Sequence, residues 1–168
     1  MPTRLSEALS EQAAAIADEL VGALDDARTP HYRGVGEDLL RRRCGALLAA
    51  FLEACGGEPD AFGEHVRRVT DERIAEGYYL QEMQRALSVL EEAAWRVVVD
   101  RSNIGDLVRH LTVVTSVIGR AKDEIASAFL ADTTRSREML RRLAAGTDAH
   151  VEADDEAQLS SAGHRHIS

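Results

Sequence analysis

The chain has few prolines, few aromatics and few cysteines, and each shortage excludes something. Its three prolines, Pro2, Pro30 and Pro59, all fall in the first 59 of 168 residues. The remaining stretch is therefore free of the strongest helix breaker. Aromatic residues make up 4%, while alanine, leucine, arginine and glutamate dominate, the composition of an all-helical chain. No run approaches the ~20 apolar residues that span a bilayer, and the amino terminus lacks the apolar core of a signal peptide. A cytoplasmic chain is expected. Basic residues are outnumbered by acids, 20 to 29, for a formal charge of −9, which argues against a nucleic-acid surface built on phosphate contacts.

Catalytic patterns are also missing. The sequence contains no G-x-S-x-G elbow and no Gly-rich loop of phosphate-binding spacing, so no enzyme is expected. Cys44 and Cys55 are eleven residues apart in one predicted helix, about 16 Å at 1.5 Å per residue. A disulfide requires Cα atoms within about 7 Å. Both cysteines share an apolar stripe with Leu40, Leu47, Leu48 and Phe51, so core packing is their expected role. A Cys44–His65 dyad fails for the same reason, because an apolar setting keeps a thiol protonated. No metal site is expected; His164 and His166 form only a spaced pair in a polar tail.

What is present is helical periodicity. Leu5, Leu9, Ile16, Leu20 and Leu24 form one stripe and predict a first helix over 4–26. "ARTPHYRGVG" separates it from a second over 37–55, and "GGEPD" separates that from a third over 59–76, with Pro59 at its start. Leu80, Met83, Leu87, Leu90, Ala94 and Val98 place a fourth over 80–101. From Asn103 a heptad-like series, including Leu107, Leu111, Val114, Ile118 and Ile125, predicts a fifth helix reaching Gly146. Its length would be about 65 Å, with Gly119 and "DTTRS" (132–136) as expected bends or weak points. Residues 1–146 read as one helical domain of about five helices, and 147–168, with five acids and one arginine, as a disordered acidic tail.

The break at Gly77, inside "ERIAEGYYLQEMQRALSVLEEAAW", carries the most information. Phe62, Val66, Val69 and Arg73 lie within about a 60° arc of the third helix. Arg73 therefore sits in an apolar stripe and needs a partner, because an unpaired buried charge costs several kcal/mol. Glu82 and Glu91 are the nearby carboxylates in a hairpin turning at Gly77. Tyr32, Tyr78 and Tyr79 lie in or beside loops and, with Trp95, are candidates to line a ligand pocket. The simpler reading makes Trp95 a core residue of the fourth helix.

Arg73, Gly77, Leu80, Arg85, Ala86 and Trp95 resemble the hallmark stretch of the RsbRD-type amino-terminal domain of stressosome co-antagonists, and the resemblance runs over about residues 5–135. It implies an all-helical, loosely globin-like sensory module of bacterial regulators, usually joined through a long helix to an output domain such as a STAS domain, a helix-turn-helix or a histidine kinase. With nothing folded expected after the long helix, the output partner becomes a separate chain. A globin-like bundle also raises the alternative of a haem or small-molecule carrier, with His65 as the axial ligand. Ile118, Ile125, Met139, Leu140 and Leu143 on the last helix are the candidates for a homodimer or partner surface.

Overall fold

The computed structural model describes the backbone of residues 4–162 and the side chains of residues 4–145. Seven helices and no strand occur among the described residues: α1 (Arg4–Glu11), α2 (Ala13–Leu24), α3 (Pro30–Gly34), α4 (Glu37–Gly56), α5 (Pro59–Ala75), α6 (Leu80–Arg101) and α7 (Ile104–Ala162). The all-α class and the long carboxy-terminal helix are as the sequence implies. The backbone of α7 runs into the expected acidic tail as far as Ala162, whereas residues 163–168, with His164 and His166, lie outside the described residues.

The count differs from five for local reasons. The first expected helix is broken at Gln12, whose φ of −103° and ψ of 7° leave the helical well. The break is tight. The Gln12 amide bonds the Leu9 carbonyl and the Ile16 amide bonds the Gln12 carbonyl, so the stripe of Leu5, Leu9, Ile16, Leu20 and Leu24 stays buried throughout. The other addition is α3, a single turn within the expected loop. Pro30 opens it at N1, where a missing N–H costs nothing.

Two units divide the chain, Met1–Phe129 and Leu130–Ser168. In the first, α4 packs against α5 and α2, while α1 and α2 pack on α6. Phe51 and Phe62 meet edge to face at 5.5 Å across α4 and α5, in the geometry aromatic quadrupoles favour. Within this unit α7 contributes Val114, Val117, Ile118, Ala121 and Ile125 to the core. Ion pairs flank that stripe, Lys122 to Glu91 at 2.6 Å and Arg120 to Asp60 at 2.6 Å. The lysine pair takes Glu91 away from Arg73.

Three expectations are corrected here. Ile118 and Ile125 are fully buried in their own bundle and so cannot serve a partner. Gly119 and residues 132–136 stay helical within α7, so the expected weak points do not break it. Trp95 is 43% exposed instead of buried, because Ala94 and Val98 take the inward positions of α6 and Trp95 lies one step, about 100°, around the helix.

The second unit, as far as its side chains are described, is the continuation of α7. It carries the pairs Arg142–Glu138 at 3.1 Å and Arg135–Asp132 at 3.9 Å. Leu130, Met139, Leu140 and Leu143 are exposed. Among the described residues no helix is long and apolar enough to cross a membrane.

Candidate functional site

The break at Gly77 is a Schellman motif. The Gly77 amide bonds the Ile74 carbonyl at 3.0 Å and the Tyr78 amide bonds the Arg73 carbonyl at 2.9 Å, which satisfies the last carbonyls of α5. Gly77 adopts φ of +84°, a conformation side chains with a Cβ disfavour. The motif brings Arg73 and Tyr78 together, with the guanidinium 5.6 Å from the ring centroid. A second arginine, Arg43 of α4, lies 5.9 Å from the same ring and donates to the Tyr78 hydroxyl at 2.6 Å.

Glu82 holds the other side of the turn. It is 1% exposed and accepts three hydrogen bonds. The His31 amide reaches Oε1 at 2.9 Å, His31 Nδ1 lies 2.7 Å from Oε2, and the Tyr79 amide reaches Oε2 at 3.0 Å. An ionised carboxylate only accepts, so Nδ1 carries the proton in that contact. The two amides belong to the first turns of α3 and α6, so one anion caps two helix amino termini. The Tyr78 hydroxyl closes the ring of contacts by donating to the His31 carbonyl at 3.3 Å.

Arg73 is buried, as its stripe requires, at 6% exposure, but its partner is neither Glu82 nor Glu91. Its Nη1 donates to both oxygens of Glu76 at 3.1 and 3.0 Å. Arg43 Nη2 approaches the same carboxylate at 3.3 Å. Glu82 is already saturated by α3 and by its own helix start. Arg73 Nε is solvent-shielded and has no hydrogen-bond partner.

The proposed pocket residues separate. Tyr32 and Tyr78 are buried side by side, ring centroids 5.0 Å apart. Tyr32 donates only to the Met83 thioether, at 3.3 Å, and burial pushes its hydroxyl pKa well above the usual value. Tyr79 is exposed and meets His31 edge-on at 5.0 Å. Trp95 lies apart, over a shallow depression on α6 with Glu92, Arg96 and Val99. Of the remaining motif residues, Leu80 packs partly buried against the core, and Arg85 places its charge near Asp26.

One internal cavity adjoins this cluster. It has a volume of about 40 Å³, and its lining includes Tyr32, Arg43, His65, Arg73, Met83 and Ala86. Ligand pockets for drug-sized molecules run to about 300–1,000 Å³, well above the volume found beside His65. That imidazole instead meets Arg68 Nη2 at 3.2 Å through Nδ1. Burial and the Arg68 charge lower its pKa. The thiols of Cys44 and Cys55 are pushed up by burial to about 11 and about 12, in line with core residues. No group of three or more His, Cys, Asp or Glu poised to hold a metal exists among the described residues.

His31 and Arg43 are the members of the cluster that sequence reasoning did not place, whereas Glu82 was placed at the turn but as a partner for Arg73. Glu82 had a signal, since it stands at the N3 position of a capping box after Tyr79. His31 had none, because its contact with Glu82 spans 51 residues.

Taken together, the fold is an all-helical module whose best-organised polar site is a structural hinge. The chain belongs to the family described as the RsbT co-antagonist protein rsbRD N-terminal domain, whose profile matches residues 10–145. That match starts and ends later than the expected 5–135. No curated protein and no solved structure matches the chain.

Proposed function

We propose that this chain is a non-enzymatic sensory or regulatory input domain of the stressosome co-antagonist type, acting in the cytoplasm through protein–protein contacts. It forms a homodimer through the distal part of α7 and passes its signal to an output partner by direct protein contact. One observation carries the dimer. Met139, Leu140 and Leu143 are 63%, 65% and 58% exposed on consecutive turns of one helix, and apolar residues clustered on such a surface mark an interaction site. A symmetric second copy is the commonest cover. Family membership supports the regulatory role.

Light scattering on the purified full chain tests the assembly. The wild type elutes at twice the monomer mass, and Leu140→Asp with Leu143→Asp shifts it to monomer with an unchanged helical signal. A wild-type monomer at micromolar concentration removes the dimer. Retention of a specific output protein by the wild type but not by the double variant supports the contact route.

A further inference from the structure

Arg73 makes its ion pairs through one nitrogen of its guanidinium and leaves another, Nε, without a partner. All its acidic contacts, with Glu76 at 3.0 Å and Glu72 at 3.9 Å, are made through Nη1. Nε is shielded from solvent and has no partner. Nε and its neighbouring Nη2 form a planar two-donor fork, the geometry that grips a carboxylate or nitrate with two parallel bonds. A second buried donor in the same wall is also poorly served. The Tyr32 hydroxyl has only the Met83 sulfur at 3.3 Å, and a thioether is a weak acceptor.

Charge points the same way. Arg43 and Arg73 share the single carboxylate of Glu76, and Glu72 also serves Arg68 at 3.4 Å. Both arginines and Tyr32 line the cavity of about 40 Å³, whose remaining walls include Val66, Met83 and Ala86. A cavity needs about 10–15 Å³ by this measure for each water-sized atom group, so this one suits roughly three or four heavy atoms.

We propose that the cavity between α4, α5 and α6 is a binding site for a small planar oxyanion of formate or acetate size, held by the free edge of Arg73 and by the Tyr32 hydroxyl. The apolar wall takes the hydrogen or methyl end. Larger carboxylates are shut out, and chloride, which offers no second acceptor atom to the Tyr32 hydroxyl, binds more weakly. Such a ligand would sit against the α5–α6 hinge. Its binding does not depend on the dimer or on any output partner, so the two readings fail separately.

The experiment titrates formate, acetate, nitrate, benzoate and chloride into the full-length protein at fixed pH and ionic strength. The readouts are the Arg73 Nε–H resonance and the melting temperature. Formate and acetate should shift that resonance saturably with a Kd of about 1 mM, near the ceiling for so few atoms, and raise the melting temperature. Benzoate should do neither, and chloride should act only at concentrations well above those of acetate. Tyr32→Phe should weaken binding several-fold. Ala86→Leu, which fills the cavity and leaves the arginine in place, should abolish it. The proposal is overturned if wild-type resonances move linearly without saturation, if chloride matches acetate, or if Ala86→Leu binds like wild type. The wild-type titration decides the matter even if a variant does not fold.

Discussion

The hinge and the distal part of α7 put opposite residue types in opposite places. At the hinge, the polar groups Glu82 and Arg73 are buried inside the bundle, whereas on distal α7 the apolar Leu130, Met139, Leu140 and Leu143 face outward. A buried charge is tolerated only where bonds replace water, and Glu82 has three of them. An exposed leucine is tolerated singly, but a run of them on one helix gains by being covered. The hinge therefore looks inward and serves the fold, while distal α7 looks outward, as the proposed assembly requires.

The strongest way to break this contrast is Glu82→Ala. It removes the acceptor for two helix-start amides and the His31 ring, leaving buried donors unpaired at about 1–3 kcal/mol each. A loss of about 3 kcal/mol in urea unfolding is expected. A loss under about 1 kcal/mol would mean that water replaces the carboxylate readily and that the hinge is not an internal site. Leu140→Asp at the other extreme should leave the dilute monomer's stability within about 0.5 kcal/mol of wild type.

Next in size is Arg73→Ala against Arg96→Ala. Arg73 is buried, bonded to Glu76 and stacked on Tyr78, so about 2 kcal/mol is at stake. Arg96 pairs with Glu19 between exposed side chains, and such pairs contribute about 0–1 kcal/mol. Equal melting temperatures for the two variants would remove the distinction between buried and surface arginines.

The thiols sharpen the comparison through pH. Cys44 and Cys55 ionise near 9 when unfolded but are pushed up to about 11 and about 12 in the fold. A raised pKa means the unfolded state releases its protons first. The contribution to stability is thus complete below pH 9 and is lost as pH rises toward the folded values. Wild type should lose more stability than Cys44→Ala/Cys55→Ala between those limits, as read by denaturant unfolding at stepped pH. Parallel curves would show that the thiols are not shielded.

How far the sequence disclosed these regions follows the range of each interaction. Helix periodicity located every long helix, and the stripe containing Arg73 announced a buried charge, because both are patterns within a few turns. The partner of Arg73 was missed although Glu76 is only three residues away. Carboxylates on the facing helix α6 stood nearer in a hairpin, and nothing in the spacing showed Glu82 being taken by His31, 51 residues distant. The break at Gln12 had no signal in residue type, since glutamine is an ordinary helix former. The heptad-like series made Ile118 and Ile125 look like the leucines beyond them. Periodicity gives the face of a helix but not what covers it.

Trp95 makes the smallest expected change and tests the same point. By sequence it fits a core position, yet it is 43% exposed on α6, with Ala94 and Val98 turned inward instead. A buried aromatic replaced by alanine costs about 3–5 kcal/mol, as expected for Phe62→Ala at the α4–α5 contact. Trp95→Ala should cost about 1 kcal/mol or less, since little of its area returns to water. The wild type supplies an independent reading because this is its only tryptophan. Its emission should be quenched by iodide in the wild type, and the quenching should be little changed in the Leu140→Asp/Leu143→Asp variant. Emission that iodide quenches only in the variant would place a partner over Trp95, and the outward-looking surface would then extend onto the bundle itself.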